Sequence, residues 1–98
     1  MSLTGTWNIS ISTPIGIQYV VLELTENYSV VEGIAKGNEE TLPLINPVLD
    51  GNRLTWKQSI TKPMRLNLTF DVIIDDDTLK GTAKAGLLPS SKVIGKRI

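Results

Sequence analysis

The sequence predicts an all-β protein, about eight short strands in antiparallel up-and-down order rolled into a barrel. Three observations predict it. Apolar and polar residues alternate with a period of two almost throughout, turn-forming residues recur about every ten residues, and no stretch carries a convincing helical periodicity. Closure follows from the number of strands, because an open sheet on so short a chain would leave two exposed edges available for aggregation. The 98 residues suit one compact domain, residues 1–98, with a single core.

The first run, Thr4 to Ser12, places Trp7, Ile9 and Ile11 on one face and Asn8, Ser10 and Ser12 on the other. Thr13-Pro14-Ile15-Gly16 reads as a turn, Pro fixing one backbone angle and Gly permitting a positive one. The second strand is IQYVVLEL. Glu26-Asn27-Tyr28 turns it into the third, SVVEGIAK, in which Gly33 marks a bulge or sharp bend. The fourth run, TLPLINPVL, is the irregular one, because Pro43 and Pro47 cannot donate to a ladder; it is an edge or a broken strand, and would suit a gap in the barrel wall.

Asp50-Gly51-Asn52 turns the chain into RLTWKQSI, where Leu54, Trp56, Gln58 and Ile60 share a face, and Thr61-Lys62-Pro63 turns it again. MRLNLTFDVII has the cleanest alternation, with Met64, Leu66, Leu68, Phe70, Val72 and Ile74 opposite Arg65, Asn67, Thr69 and Asp71, and reads as a long strand with one wet face. After a turn at Asp75-Asp76-Asp77 come TLKGTAKAG and KVIGKRI, the last two strands. VVEGIAKGN, residues 30–38, echoes TLKGTAKAG, residues 78–86, which we read as shared strand chemistry.

Gly5-Thr6-Trp7 on the first strand and Arg97 on the last resemble the structural signature of the lipocalin, fatty-acid-binding and avidin families of small meander barrels. That resemblance implies a glycine bend leading into the first strand, and a Trp packed at the closed end of the barrel under a late-strand Arg. LTGTW looks most like the opening of the avidins, yet the inward face continues with Ile9 and Ile11 where avidins place polar biotin contacts. The chain is also similar to a group of short, mostly uncharacterised bacterial proteins. The similarity lies in a TP-G, DGN-L-W, P-L-L-F, L-G-K-G, G-R progression, carried here by Thr13, Pro14 and Gly16; by Asp50, Gly51, Asn52, Leu54 and Trp56; by Pro63, Leu66, Leu68 and Phe70; by Leu79, Gly81, Lys84 and Gly86; and by Gly95 and Arg97. Residues 87–91, LLPSS, depart from it. Both resemblances imply fold rather than chemistry.

Composition narrows the chemistry. The chain has no cysteine and no histidine, which removes disulfides, thiolate metal sites, cysteine nucleophiles and the usual general base near neutral pH. Ten basic residues balance ten acidic ones and are scattered, so phosphate-driven affinity for nucleic acid has little to run on. No apolar run approaches the roughly 20 residues of a spanning helix, and no membrane partner is expected. Without a signal-like start, the default expectation is a cytoplasmic chain, where the N-x-S/T triplets at Asn8, Asn27 and Asn67 carry no meaning.

Candidate site residues are few. Gln58 lies between Trp56 and Ile60 on the inferred inner face and must be hydrogen-bonded there, to a neighbour, a water or a ligand. Asn46, sharing a face with Leu44 and Val48, raises the same question; Tyr19 and Tyr28 would add hydroxyls at a pocket mouth. Trp7 and Trp56 read first as core, and Trp56, beside Gln58 on the same face, is also counted with Gln58, Asn46, Tyr19 and Tyr28 as a candidate ligand contact. Asp75, Asp76 and Asp77 read as a solvated hairpin tip, since adjacent strand residues point to opposite faces and no calcium-loop spacing follows. Glu23, Glu32 and Asp71 are the carboxylates within strands; alternation puts Asp71 outside, and the side taken by Glu23 is open.

These readings lead to a non-enzymatic barrel that binds an apolar or amphipathic small molecule, with no metal and no cofactor expected. A barrel of this size either fills with its own side chains or holds one small ligand. The alternative is a filled barrel acting as an assembly or accessory module, for example a homodimer through the proline-bearing strand. A carboxylate-based isomerase or hydrolase is a third, weaker reading.

Overall fold

The computed structural model describes residues 2–14, 16–37, 40–61 and 65–98. Among them every regular element is a strand: β1 (Gly5–Thr13), β2 (Gly16–Asn27), β3 (Val30–Gly37), β4 (Glu40–Pro43), β5 (Ile45–Asp50), β6 (Arg53–Ile60), β7 (Leu66–Asp75), β8 (Thr78–Ala85) and β9 (Ser91–Arg97). They form one antiparallel sheet in the order β4-β3-β2-β1-β9-β8-β7-β6-β5. All but one of the ladders join sequence neighbours; the exception, β1 with β9, runs from Trp7 opposite Arg97 to Ser12 opposite Lys92 and brings the two ends of the chain together. The sheet curls until β3 touches β5 and β4 touches β6, giving a nearly closed up-and-down barrel.

The count is nine strands, not eight, because the expected fourth strand is divided at Leu44. Up to Pro43 the segment pairs with β3, and the Leu44 amide still donates to the Gly33 carbonyl at 3.0 Å. From Ile45 it pairs with β6 instead. One stretch of chain therefore changes partner, and β4 and β5 are the two edges of the sheet. The prolines sit where a lost donor does least harm: Pro43 ends β4, and Pro47 lies within a register shift between Ile45 and Val48.

Gly33 is not a bulge, since the β2–β3 register runs unbroken past it. It makes room instead: a Cβ there would lie 2.6 Å from the nearest Leu44 methyl and 2.6 Å from the Glu23 carbonyl oxygen. The turn after β2 falls one residue later than expected, on Tyr28 and Ser29, both with positive φ, which matches the right-handed twist of a two-residue hairpin. Ile15 of the first expected turn, Lys62 and Pro63 of the turn expected at 61–63, and Met64, expected on the inner face, lie outside the described residues.

Alternation places the core. Trp7, Ile9 and Ile11 on β1 meet Leu22 and Leu24 on β2, Val31 on β3, Leu54 and Trp56 on β6, Phe70 and Val72 on β7, Leu79 on β8 and Val93 on β9, all buried in one cluster. Burying each of the larger side chains stabilises the fold by roughly 1.5–3 kcal/mol relative to leaving it in water.

Candidate functional site

The two ends of the barrel differ. At one, Trp7 is fully buried and its indole Nε1–H donates to the Leu3 carbonyl at 2.9 Å. The Arg97 guanidinium carbon lies 5.0 Å from the Trp7 ring centroid. Arg97 Nε donates to Asp77 Oδ1 at 2.9 Å, Nη1 to the Ser2 and Thr4 carbonyls at 2.8 and 3.2 Å, and Nη2 to the Asp76 carbonyl at 3.2 Å. Stacking of this kind contributes about 0.5–2 kcal/mol, and the fork of donors ties the first residues of the chain to the β7–β8 hairpin. Gly5 is needed here, because its φ is +147° and a Cβ would meet Arg97 Cδ at 2.9 Å. This end is closed.

The other end is hollow. An apolar cavity of about 360 Å³ opens between the ends of the strands, with Ile11, Val20, Leu42, Ile60, Leu68 and Phe70 among its walls. Its cause is side-chain size. On the inward face β3 runs from Val31 to Ala35 and Gly37, and β8 from Leu79 to Ala83 and Ala85, so both strands change from large to small residues on passing toward the mouth. Phe70 lines the cavity with Trp56 stacked behind it, ring centroids 4.6 Å apart and planes 3° from parallel.

Among the described residues Gln58 is the one buried polar side chain, 6% exposed and on the cavity lining. Trp56 Nε1–H donates to its Oε1 at 3.2 Å. An indole nitrogen is a donor only, so this bond fixes the amide with its oxygen toward Trp56 and its NH₂ turned away. Among the described residues the NH₂ has no acceptor, and Gln58 stands on the cavity lining. At the mouth, the Glu40 carboxylate accepts from the Thr61 amide at 3.0 Å and from the Thr61 hydroxyl, joining β4 to the end of β6 where no ladder does.

Of the residues singled out from sequence, the structure brings Gln58 and Tyr19 to the cavity, Tyr19 at the rim with 71% of its surface exposed. Trp56 does not line the cavity but backs Phe70 and holds Gln58. Asn46 is corrected to the outside: it sits in the β5 register shift with φ +49°, and the extra residue flips the alternation, so the inward positions pass from Leu42 and Leu44 to Pro47 and Leu49. Tyr28 is also corrected, lying 95% exposed on the β2–β3 turn at the closed end.

The strand carboxylates face outward. Glu23 pairs with Lys36 at 3.0 Å, and Asp71 accepts from Arg53 Nε at 2.9 Å. That hydrogen bond holds the Asp71 carboxyl below its ordinary range. The aspartates at 75–77 form a hairpin tip in which Asp77 is engaged by Arg97, and among the described residues no group of three His, Cys, Asp or Glu side chains is placed to hold a metal. Glu40, Gln18 and Ser91, which reasoning from sequence missed, do reach the cavity, as do Leu88 and Pro89 from the loop after β8. No family model, no curated protein and no solved structure matches the chain.

Proposed function

We propose that the barrel is a non-enzymatic binding protein that holds one small apolar or amphipathic molecule in its open half. The observation that carries this reading is the cavity of about 360 Å³, apolar on nearly all sides and of the volume that small-ligand pockets occupy. Binding rather than turnover is supported by the carboxylates. Glu40 is the one acidic residue on the lining among the described residues, and its oxygens are engaged by Thr61, so among those residues no acid–base pair faces the interior. Kinship with the lipocalin and avidin-like barrels belongs to the same proposal, on Gly5, Trp7 and Arg97, and it extends to architecture but not to biotin, because Ile9 and Ile11 stand at the inward positions after Trp7.

Native mass spectrometry of protein purified without denaturant tests the reading. The expected result is a retained small molecule that Ala85→Leu, which extends a side chain into the cavity, excludes. An empty, stable dimer would instead favour an assembly module and overturn it.

A further inference from the structure

We propose that the cavity selects an uncharged molecule with one hydrogen-bond-accepting oxygen, a ketone or ester on an apolar body, seated with that oxygen on the Gln58 amide NH₂. This rests on the binding reading above and specifies its ligand class.

Three features of the site lead there. The Gln58 oxygen faces the Trp56 indole and accepts from it, which turns the NH₂ away from Trp56, so what the amide has left to offer a ligand is chiefly a donor. A pure hydrocarbon that displaced water from the cavity would leave this donor buried without a partner, which is costly, whereas an accepting oxygen satisfies it. The charge of the site disfavours an anion. Among the described residues the lining holds no lysine or arginine, and its one charged member, Glu40, is negative and stands at the mouth. A carboxylate carried to the depth of Gln58 would lose its hydration with no cation beside it. Size completes the description: at about 30 Å³ per water-sized group, the cavity holds a body of about a dozen non-hydrogen atoms.

Calorimetric titration with 2-undecanone and with undecanoate at pH 8 tests this, since the two share a chain length and differ in the charge of the head. The expected result is at least tenfold tighter binding of the ketone, and about a tenfold loss of ketone affinity in Gln58→Met, which keeps the side-chain length and removes the donor. Undecanoate binding as tightly as the ketone, or ketone affinity unchanged in Gln58→Met that is folded by circular dichroism, overturns the proposal while leaving the binding reading intact. Should Gln58→Met fail to fold, Gln58→Glu at pH 9 serves in its place, because an ionised carboxylate still accepts from Trp56 but cannot donate; the same loss is expected and its absence is equally fatal. If neither molecule binds, the proposal falls, and the binding reading is then judged separately by the retained molecule in native mass spectrometry.

Discussion

The closed and open halves of this barrel share strands and an inward-outward alternation, yet one half is filled around Trp7, with a pocket of about 240 Å³ beside Arg97, and the other holds the apolar cavity of about 360 Å³. β8 shows the contrast within a single strand: Leu79 is buried in the core at one end, and Ala83 and Ala85 border the cavity at the other. Alternation decides which residues point inward, and their sizes decide whether the interior closes. The lesson is that a barrel's binding space need not be carved by special residues. It is left by small ones at positions that elsewhere hold leucine, isoleucine or tryptophan.

The largest expected effect tests the closed half. Trp7→Ala should destabilise the protein by about 3–5 kcal/mol, because it opens a void under Arg97 that the flanking strands cannot collapse into. A chemical denaturation midpoint close to that of the parent would break the contrast between the halves. A matched pair sharpens it: Leu79→Ala should cost about 3–4 kcal/mol, while Leu68→Ala, whose side chain already borders empty space, should cost about 1–2 kcal/mol. Equal losses in the two would show that the open half is as tightly packed as the closed one.

Arg97→Lys keeps a positive charge over Trp7 but loses the planar fork, and should cost about 1 kcal/mol, read as a fall in melting temperature. Ala85→Leu should stay within about 1 kcal/mol of the parent, because the added atoms enter space that is already there; the same substitution in a filled interior would be strongly destabilising.

The smallest effect belongs to neither half. Asp71 and Arg53 pair on the outer wall, and the folded-state Asp71 pKa is held low mainly by the hydrogen bond from Arg53. The stabilisation from this pair is therefore fully present above the unfolded carboxylate pKa of about 3.9 and is lost as pH falls through the lower folded value. Urea midpoints measured from pH 6 down to pH 2 should show a slightly shallower acid decline in Asp71→Asn than in the parent.

Much of the fold was legible because strand faces are set by local alternation. The run RLTWKQSI coincides with β6 from Arg53 to Ile60, and the aspartate-rich turn joins β7 to β8 where expected. What local reading missed comes from parity carried through irregular backbone. Asn46 shares a parity with Leu44 and Val48, but the shift at positions 45–48 is invisible without its partner strand, and it exchanges inside for outside. The cavity was half-legible. The echo between residues 30–38 and 78–86 marks β3 and β8, where Ala35 and Gly37 on one and Ala83 and Ala85 on the other leave the space open. Its meaning as volume requires knowing that both strands face the same interior. Gln58 was found by its parity, whereas the direction of its amide depends on Trp56 two residues away.

The β1–β9 ladder has a practical consequence. It places Ser2 and Ile98 together at the Trp7 end, with Arg97 donating to the Ser2 carbonyl and the Ile98 amide to the Thr6 carbonyl. A tag, fusion partner or surface linkage attached at either terminus is thus carried on the side away from the cavity mouth. Immobilised through one end, the protein presents its opening to solution, which suits it to capture experiments in which a ligand is drawn directly from a crude extract.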